Sequence, residues 1–376
     1  MTFKFAARLR TLLCATAIAG LGATGVSAQE AKPFSLDELI AAAKTEAPIT
    51  VYAVTGKIVD TAKAFTEKYG VQASGKKVNE AGQVELMIRE SQAGNVVGDV
   101  SVAIDVASAM AQLLPEGIAE SWLPPDLEKE IAPEARDPLI VVSDAHVWTY
   151  NTEKYDKCPV TNIWQLTEPQ WKGKLAMLDL LDKPLYADWF NQMETHLDDK
   201  VAKAYEDLYG KKLETDEPSA TAAWVKAFAG NGPLLSDSTT VANAAGAPGQ
   251  ADPFFVITST AKYRDNVTNG LKLGICAGVA PFTGFLYPGY GLIAKGTKSP
   301  NAAKLFIHYL MTEEGISAQT VDGKISGNTT IALPANEPSG IRKYVDQLMT
   351  FDAKTSGDDF EKRQDWQDFW RINYKK

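Results

Sequence analysis

Short clusters of hydroxyl, glycine and charged residues follow apolar segments of the chain, and their chemistry suits an oxyanion. The first cluster is Thr55-Gly56-Lys57, which follows the apolar run 49–54 and opens an amphipathic segment. A helix that begins there presents unpaired backbone N–H groups, which together with a hydroxyl and an ammonium make an anion site. The same residues also suit an ordinary helix cap, with Thr55 accepting from the backbone.

Similar clusters occur further along the chain. Asp105 follows an apolar run and suits a helix cap, an acceptor of ligand hydroxyl groups or a cation ligand. The polar run 236–240 suits either a phosphate cradle or a loop with one capping residue. The candidate ligand-binding residues are Thr55, Gly56, Lys57, Gly82, Gln83, Asp105, Asp182, Ser236, Asp237, Ser238, Thr239, Ser259 and Tyr287.

Alternating apolar runs and amphipathic segments predict the elements that position these clusters. Short β-branched runs alternate with helical periodicity from residue 49 onward, which indicates an α/β fold with mostly parallel sheets. Ligands of such sheets lie beyond the carboxyl ends of the strands. The stretch 278–291, rich in Gly, Pro and aromatic residues, is predicted as a loop, and 301–310 as a helix. The segment 339–376 is predicted to be helical and to dock on the fold.

The first 28 residues predict the compartment. Three basic residues, an apolar stretch and Val26-Ser27-Ala28 are typical of a cleavable export signal, and Cys14 lacks the small preceding residue expected for lipid attachment. Cleavage removes three basic and no acidic residues, so the formal net charge of −9 becomes −12. Nucleic acid is therefore an unsuitable partner. Cys158 and Cys276 then remain as either one disulfide or two free thiols.

Several segments together resemble the extracellular solute-binding proteins of ABC importers, in the branch that binds iron(III) or sugar phosphates. The resemblance spans nearly all of the chain beyond the export signal. The matching segments are Ile49 to Gly56, Lys68 to Val71, Glu90 to Asn95 with Gly98 to Val100, Thr149 to Thr152, Trp164 to Lys174, Gly291 to Lys295 and Ser299 to Ile307.

The resemblance implies two α/β lobes joined by a hinge, a type II periplasmic-binding-protein-like fold that encloses its ligand and presents it to a membrane permease. The lobes are expected at 29–140 with 283–335 and at 141–282, with 336–376 packing on one of them. Tyr287 would then stack on a sugar ring or close the hinge. A periplasmic monomer without a cofactor is expected.

The identity of the ligand is the open question. Iron sites of this family use neighbouring tyrosines, but the expected segment 256–263 holds one Tyr and no pair. Hydroxyl groups and Lys57 favour an oxyanion, with a sugar phosphate or related organophosphate as the leading ligand and iron as an alternative. A polyamine-type cation is the second alternative, since Asp105, Asp182 and Asp237 are carboxylates.

An exported hydrolase is the competing function from another class. The sequence has no G-x-S-x-G and no H-E-x-x-H motif, and its three histidines are far apart. We therefore predict a binding protein and not an enzyme.

Overall fold

The computed structural model describes residues 33–375, so the predicted export signal lies outside the described residues. Twelve strands of the described part form a single sheet. The strands are β1 (Ile49–Ala53), β2 (Ala73–Lys77), β3 (Val100–Ala103), β4 (Ala119–Ser121), β5 (Ile140–Asn151), β6 (Leu175–Leu178), β7 (Leu234–Ser236), β8 (Phe255–Ser259), β9 (Leu273–Ile275), β10 (Gly284–Ala294), β11 (Ile325–Ser326) and β12 (Leu348–Thr350).

Eleven α-helices of the described residues accompany the sheet. The helices are α1 (Leu36–Ala43), α2 (Ile58–Tyr69), α3 (Glu80–Gln92), α4 (Val106–Ser108), α5 (Leu185–Tyr209), α6 (Ala220–Gly230), α7 (Ser238–Gly246), α8 (Arg264–Thr268), α9 (Pro300–Leu310), α10 (Glu313–Thr320) and α11 (Ser356–Asn373). Among them, no helix has the length and apolar character needed to cross a bilayer.

The sheet consists of two parallel halves joined by two long antiparallel strands. Its order is β2-β1-β3-β10-β5-β8-β6-β7. Strands β2, β1 and β3 are parallel, as are β8, β6 and β7, whereas β10 and β5 run antiparallel in the middle, from Gly284 opposite Val147 to Tyr290 opposite Ile140. The α/β prediction with mostly parallel strands is confirmed for both halves.

Helix α2 shows how the sequence periodicity becomes packing. Ile58, Ala62, Phe65 and Tyr69 recur every three or four residues, and all four are buried. They therefore form the face that packs inward. The helix ends at Gly70, whose φ of 69° is the left-handed conformation that terminates many helices.

The predicted loop at 278–291 is wrong in its second half, because β10 occupies Gly284–Ala294. Pro288 cannot donate to a ladder, yet it lies where one flank of β10 is free, between the pairing with β12, which ends at Leu286, and that with β3, which begins at Tyr290. Gly284 permits close pairing, since a Cβ there would lie 2.1 Å from the carbonyl oxygen of His146. The glycines and the proline that favour a turn are present in the sequence, but here they lie within a strand.

The C-terminal segment begins with irregular turns and β12 and ends in α11. This helix packs against α5, α6 and α4, and it buries Trp366 and Trp370. Elsewhere, Cys158 and Cys276 form a disulfide with their Cα atoms 5.0 Å apart, so of the two alternatives for these cysteines the structure has the bridge.

Candidate functional site

A cavity of about 490 Å³ lies where the carboxyl ends of both parallel halves meet above β5 and β10. The ends of β1, β2 and β3 contribute one wall, and the segments after β6, β7 and β8 contribute the other. This is the position at which open α/β sheets bind ligands. The charged residues that line the cavity are Lys77, Glu80, Asp144, Lys183, Asp237, Lys262, Arg264, Asp322 and Lys324.

A larger cavity of about 740 Å³ lies elsewhere, between α5 and the segment that contains β12. Its lining includes His196, Phe282 and Met349 but none of the predicted site residues. Because it does not lie beyond strand ends, we assign the ligand site to the smaller cavity.

The first wall is the turn from β1 into α2. Thr55 and Gly56 line the cavity, and the Oγ1 atom of Thr55 accepts from the backbone N–H of Lys57 at 3.3 Å. Within the described part of the chain, no group accepts from the N–H of Gly56. Lys57 itself turns to Asp322, with its Nζ atom 2.7 Å from Oδ2. This turn therefore offers a backbone donor, while its ammonium is already paired.

The opposite wall begins with α7. Asp237 caps this helix by accepting from the N–H groups of Thr239 at 2.8 Å and Thr240 at 3.1 Å, and Ser238 lines the cavity. The Nζ atom of Lys262 donates to Thr239 Oγ1 at 2.8 Å. Burial lowers the pKa of Lys262, because it disfavours the charged ammonium. A ligand anion would stabilise that charge.

The floor is built from β5 and the segment that follows α10. Asp144 accepts from Ser259 Oγ at 2.7 Å, and Lys324 Nζ lies 3.8 Å from the other carboxylate oxygen. Burial alone would raise the pKa of Asp144, but the Lys324 ammonium, His146 and the bond from Ser259 together lower it below its ordinary value. Asp144 is therefore a charged acceptor at neutral pH.

The charges of the cavity are unevenly paired. Lys183 bonds to Glu80 at 2.7 Å, while Asp322 bonds to both Lys57 and Arg264. By contrast, three ammonium groups have no carboxylate within hydrogen-bonding distance among the described residues. These three are Lys77, Lys262 and Lys324.

The structure gathers some of the predicted residues around this cavity. Six of the thirteen line it, namely Thr55, Gly56, Asp237, Ser238, Ser259 and Tyr287. Tyr287 is buried in the floor and donates to Asp188 Oδ2 at 2.7 Å. The other seven, which are Lys57, Gly82, Gln83, Asp105, Asp182, Ser236 and Thr239, do not line it. Lys57 and Thr239 nevertheless bond to cavity residues.

The residues outside the cavity bond mainly within the protein. The Gly82 N–H donates to the Asn79 side chain at 2.8 Å, which caps α3. Gln83 is buried and accepts from Ser101 at 2.7 Å. Asp105 caps α4 and pairs with Arg363 at 2.8 Å. Of the alternatives that the sequence left open for Asp105, the structure shows the helix cap.

Sequence reasoning missed most of the charged lining. Lys77 and Lys262 each lie at or shortly after the end of a strand, so the strand-end rule that selected their neighbours also reaches them. Asp144 and Lys324 had no such signal. Asp144 is in the middle of β5, and Lys324 reaches it because the next residue, Ile325, pairs with Ser143.

The cavity does not have the composition of a metal site. Among the described residues, no group of three or more His, Cys, Asp or Glu side chains is arranged to hold a metal ion. Tyr287 is the one tyrosine in the lining, and its hydroxyl group is committed to Asp188.

Two half-sheets that meet at a polar cavity above two long crossing strands define a two-lobed solute-binding protein. Residues 49–323 match the family described as bacterial extracellular solute-binding protein, and the chain belongs to that family. Its members are extracellular solute-binding proteins, which bind solutes in the periplasm for ABC importers and are not enzymes. No protein of curated function matches the chain in sequence.

Solved structures with the same fold differ in their ligands. Iron-bound HitA from Pseudomonas aeruginosa superposes with a TM-score of 0.64 at 16% identity, over 87% of this chain and 99% of its own. The ferric binding protein from Campylobacter jejuni gives 0.63 at 15%, over 86% and 99%. The periplasmic binding protein AfuA from Actinobacillus pleuropneumoniae, with exogenous fructose-6-phosphate bound, gives 0.61 at 19%, over 87% and 98%. At these identities the likeness shows the two-lobed fold alone.

Proposed function

We propose that this solute-binding protein captures a small anionic solute, a sugar phosphate or related organophosphate, and delivers it to its ABC permease. The observation that carries the proposal is the set of three ammonium groups, Lys77, Lys262 and Lys324, that reach the cavity without a hydrogen-bonded carboxylate. A phosphate group accepts several charge-assisted hydrogen bonds and compensates this charge. The free N–H of Gly56 and the Ser238 hydroxyl add neutral donors.

The same cavity argues against both alternatives. Ferric iron favours anionic oxygen ligands such as paired tyrosinates, and the single lining tyrosine is engaged with Asp188. A polyamine needs free carboxylates. Glu80 already accepts from Lys183, Asp322 from Lys57 and Arg264, and Asp237 from its own helix. Asp144 accepts from Ser259 through one oxygen, and the Lys324 ammonium 3.8 Å from the other oxygen would repel a second cation.

A thermal-shift screen tests the ligand class. The protein is heated with fructose 6-phosphate, glucose 6-phosphate, inorganic phosphate, spermidine or ferric citrate. A ligand at 100 times its Kd stabilises the native state by about 2.7 kcal/mol, so a true ligand raises the midpoint by several degrees. We expect a shift with a sugar phosphate and none with spermidine. A shift with ferric citrate alone would refute the proposal.

The domain limits and processing complete the proposal. We propose lobes at 29–140 with 283–335 and at 141–282, because β5 and β10 begin at 140 and 284 and join the two half-sheets. We further propose cleavage after Ala28 and a freely diffusing monomer. Amino-terminal sequencing of the periplasmic protein should begin at Gln29, and sedimentation should give the mass of one chain. A retained signal or a stable dimer would contradict these points.

A further inference from the structure

Three polar groups on the cavity floor, the buried His146 and Lys324 and the partly buried Asp144, face one another without a hydrogen bond. The Oδ2 atom of Asp144 lies 3.7 Å from His146 Nε2 and 3.8 Å from Lys324 Nζ. Both distances are too long for a hydrogen bond. His146 is only 4% exposed and Lys324 only 8% exposed, so neither is freely hydrated by bulk water. The geometry leaves a gap between a carboxylate, an imidazole and an ammonium.

The hydrogen bonds that Asp144 and His146 do make use the atoms that face away from this gap. Asp144 Oδ1 accepts from Ser259 at 2.7 Å, and His146 Nδ1 lies 3.3 Å from the hydroxyl oxygen of Tyr186. Across residues 33–375, no hydrogen bond reaches Asp144 Oδ2, His146 Nε2 or Lys324 Nζ. Polar atoms at a cavity wall that lack a protein partner are satisfied by water or by a ligand. These three atoms line or adjoin the proposed ligand cavity, so a ligand group can satisfy them.

We propose that Asp144, His146 and Lys324 form a subsite that reads a hydroxyl group of the ligand, an inference that rests on the proposed function. A hydroxyl group donates one hydrogen bond and accepts two, so it can donate to Asp144 and accept from Lys324 at the same time. A ligand carboxylate or phosphate oxygen would meet the Asp144 charge, and a ligand ammonium would meet Lys324. An alkyl group would leave all three atoms unsatisfied.

The position of the subsite orients the cargo. Lys77 is exposed and Lys262 half-buried, whereas Lys324 lies on the buried floor. The phosphate therefore lies towards the mouth, against Lys77 and Lys262, and a hydroxylated carbon chain points down to β5. The substrate class is thus a phosphate ester that carries a hydroxyl group away from its phosphate.

Matched esters test this reading in the mature protein. Calorimetry compares fructose 6-phosphate with hexyl phosphate, and glycerol 3-phosphate with propyl phosphate, since the members of each pair have the same chain length and the same phosphate. A site that hydrogen-bonds a hydroxyl group rejects an analogue without it strongly, by 10⁴-fold or more in favourable cases. We expect at least one hydroxylated ester to bind about 100-fold tighter than its alkyl partner. Equal affinities within both pairs would overturn the subsite, whatever any variant does.

Asp144→Asn distinguishes hydroxyl reading from simple electrostatics by the sign of its effect. If Asp144 only repels the phosphate, removing its charge strengthens the binding of both esters. If it accepts from a ligand hydroxyl, the hydroxylated ester loses about 30-fold or more while the alkyl ester does not weaken. The control is Asp156→Asn, an exposed carboxylate outside the cavity, which should change neither affinity.

The outcomes separate the two proposals. Loss confined to the hydroxylated ester supports the subsite. Stronger binding of both esters by Asp144→Asn overturns the subsite and leaves the anion site intact. If the parent protein binds none of the four esters, the proposed function fails, and the subsite fails with it.

Discussion

The ligand cavity and the buried face of the C-terminal helix both bring cations close to carboxylates, but they pair them differently. At α11, the Arg363 guanidinium bonds to Asp188 at 2.9 and 3.0 Å and to Asp105 at 2.8 Å, and Tyr287 also donates to Asp188. In the cavity, Lys77, Lys262 and Lys324 have no such bond to a carboxylate among the described residues. Saturated pairing holds a structure together, whereas incomplete pairing leaves room for a ligand.

Breaking the saturated cluster should have the largest effect. Arg363→Met leaves Asp105 and Asp188 buried without their cation, and removing one partner of a buried ion pair costs about 3–5 kcal/mol. We expect the free energy of unfolding in urea to fall by that amount. Arg371→Met on the same helix is the control, because its pair with Asp368 is half-exposed and should contribute less than about 1 kcal/mol. Similar losses of unfolding free energy for both variants would contradict a special structural role for the buried Arg363 pairs.

The pH dependence of stability contrasts two carboxylates. Burial raises the pKa of Asp359 on α11 to about 7, despite hydrogen bonds from Asn191 and Gln192, while the pKa of Asp144 in the cavity is lowered. The native state therefore holds a proton on Asp359 that the unfolded chain releases near pH 4. Asp359 thus stabilises the fold fully below about pH 4, and this stabilisation is lost as the pH rises to about 7.

The measurement is urea unfolding of the parent and of Asp359→Asn at several pH values. Between pH 5 and 8 the parent should lose on the order of 2 kcal/mol relative to the variant. Asp144→Asn should follow the slope of the parent, because Asp144 is charged throughout this range. Parallel profiles for the parent and Asp359→Asn would show that Asp359 does not titrate there.

In the cavity, a substitution should affect binding and not stability. Burial disfavours the Lys262 ammonium and lowers its pKa, so Lys262→Met should leave the unfolding midpoint unchanged or slightly higher. Loss of a charge-assisted hydrogen bond to phosphate should weaken sugar-phosphate affinity by about 10-fold to 100-fold. Lys172→Met, an exposed lysine outside the cavity, should change neither quantity. A destabilised variant with intact affinity would show that Lys262 contributes to folding stability and not to ligand binding.

The same contrast explains what could be predicted from the sequence. Thr55, Ser238 and Ser259 were found because strand ends and helix starts have local signals. Gln83 and Gly82 carry the same signals, but Ser101 and Asn79 occupy their polar groups. Local patterns therefore locate polar loops without showing which donors are already used.

Local patterns could not predict ion pairs between segments that are distant in the sequence. Lys324 meets Asp144 only through the short ladder of β11 with β5, and Arg363 reaches Asp105 across 258 residues. The α/β class and the order of the elements were accessible because periodicity is local. The local pattern of 284–290 did not show its strand character, because its glycines and Pro288 are tolerated only in that tertiary setting, and only the family resemblance indicated the strand at 291–295.

The central claim is that three incompletely paired ammonium groups hold a phosphate ester, with Lys77 and Lys262 at its phosphate and Lys324 at a hydroxyl group of its carbon chain. Its most direct test is calorimetry with fructose 6-phosphate and glucose 6-phosphate on the parent and on Lys77→Met/Lys262→Met/Lys324→Met, with circular dichroism as the check on folding. The account predicts that the parent binds a sugar phosphate and that the folded triple variant loses about 1,000-fold or more in affinity. A folded triple variant that binds as tightly as the parent would contradict the account.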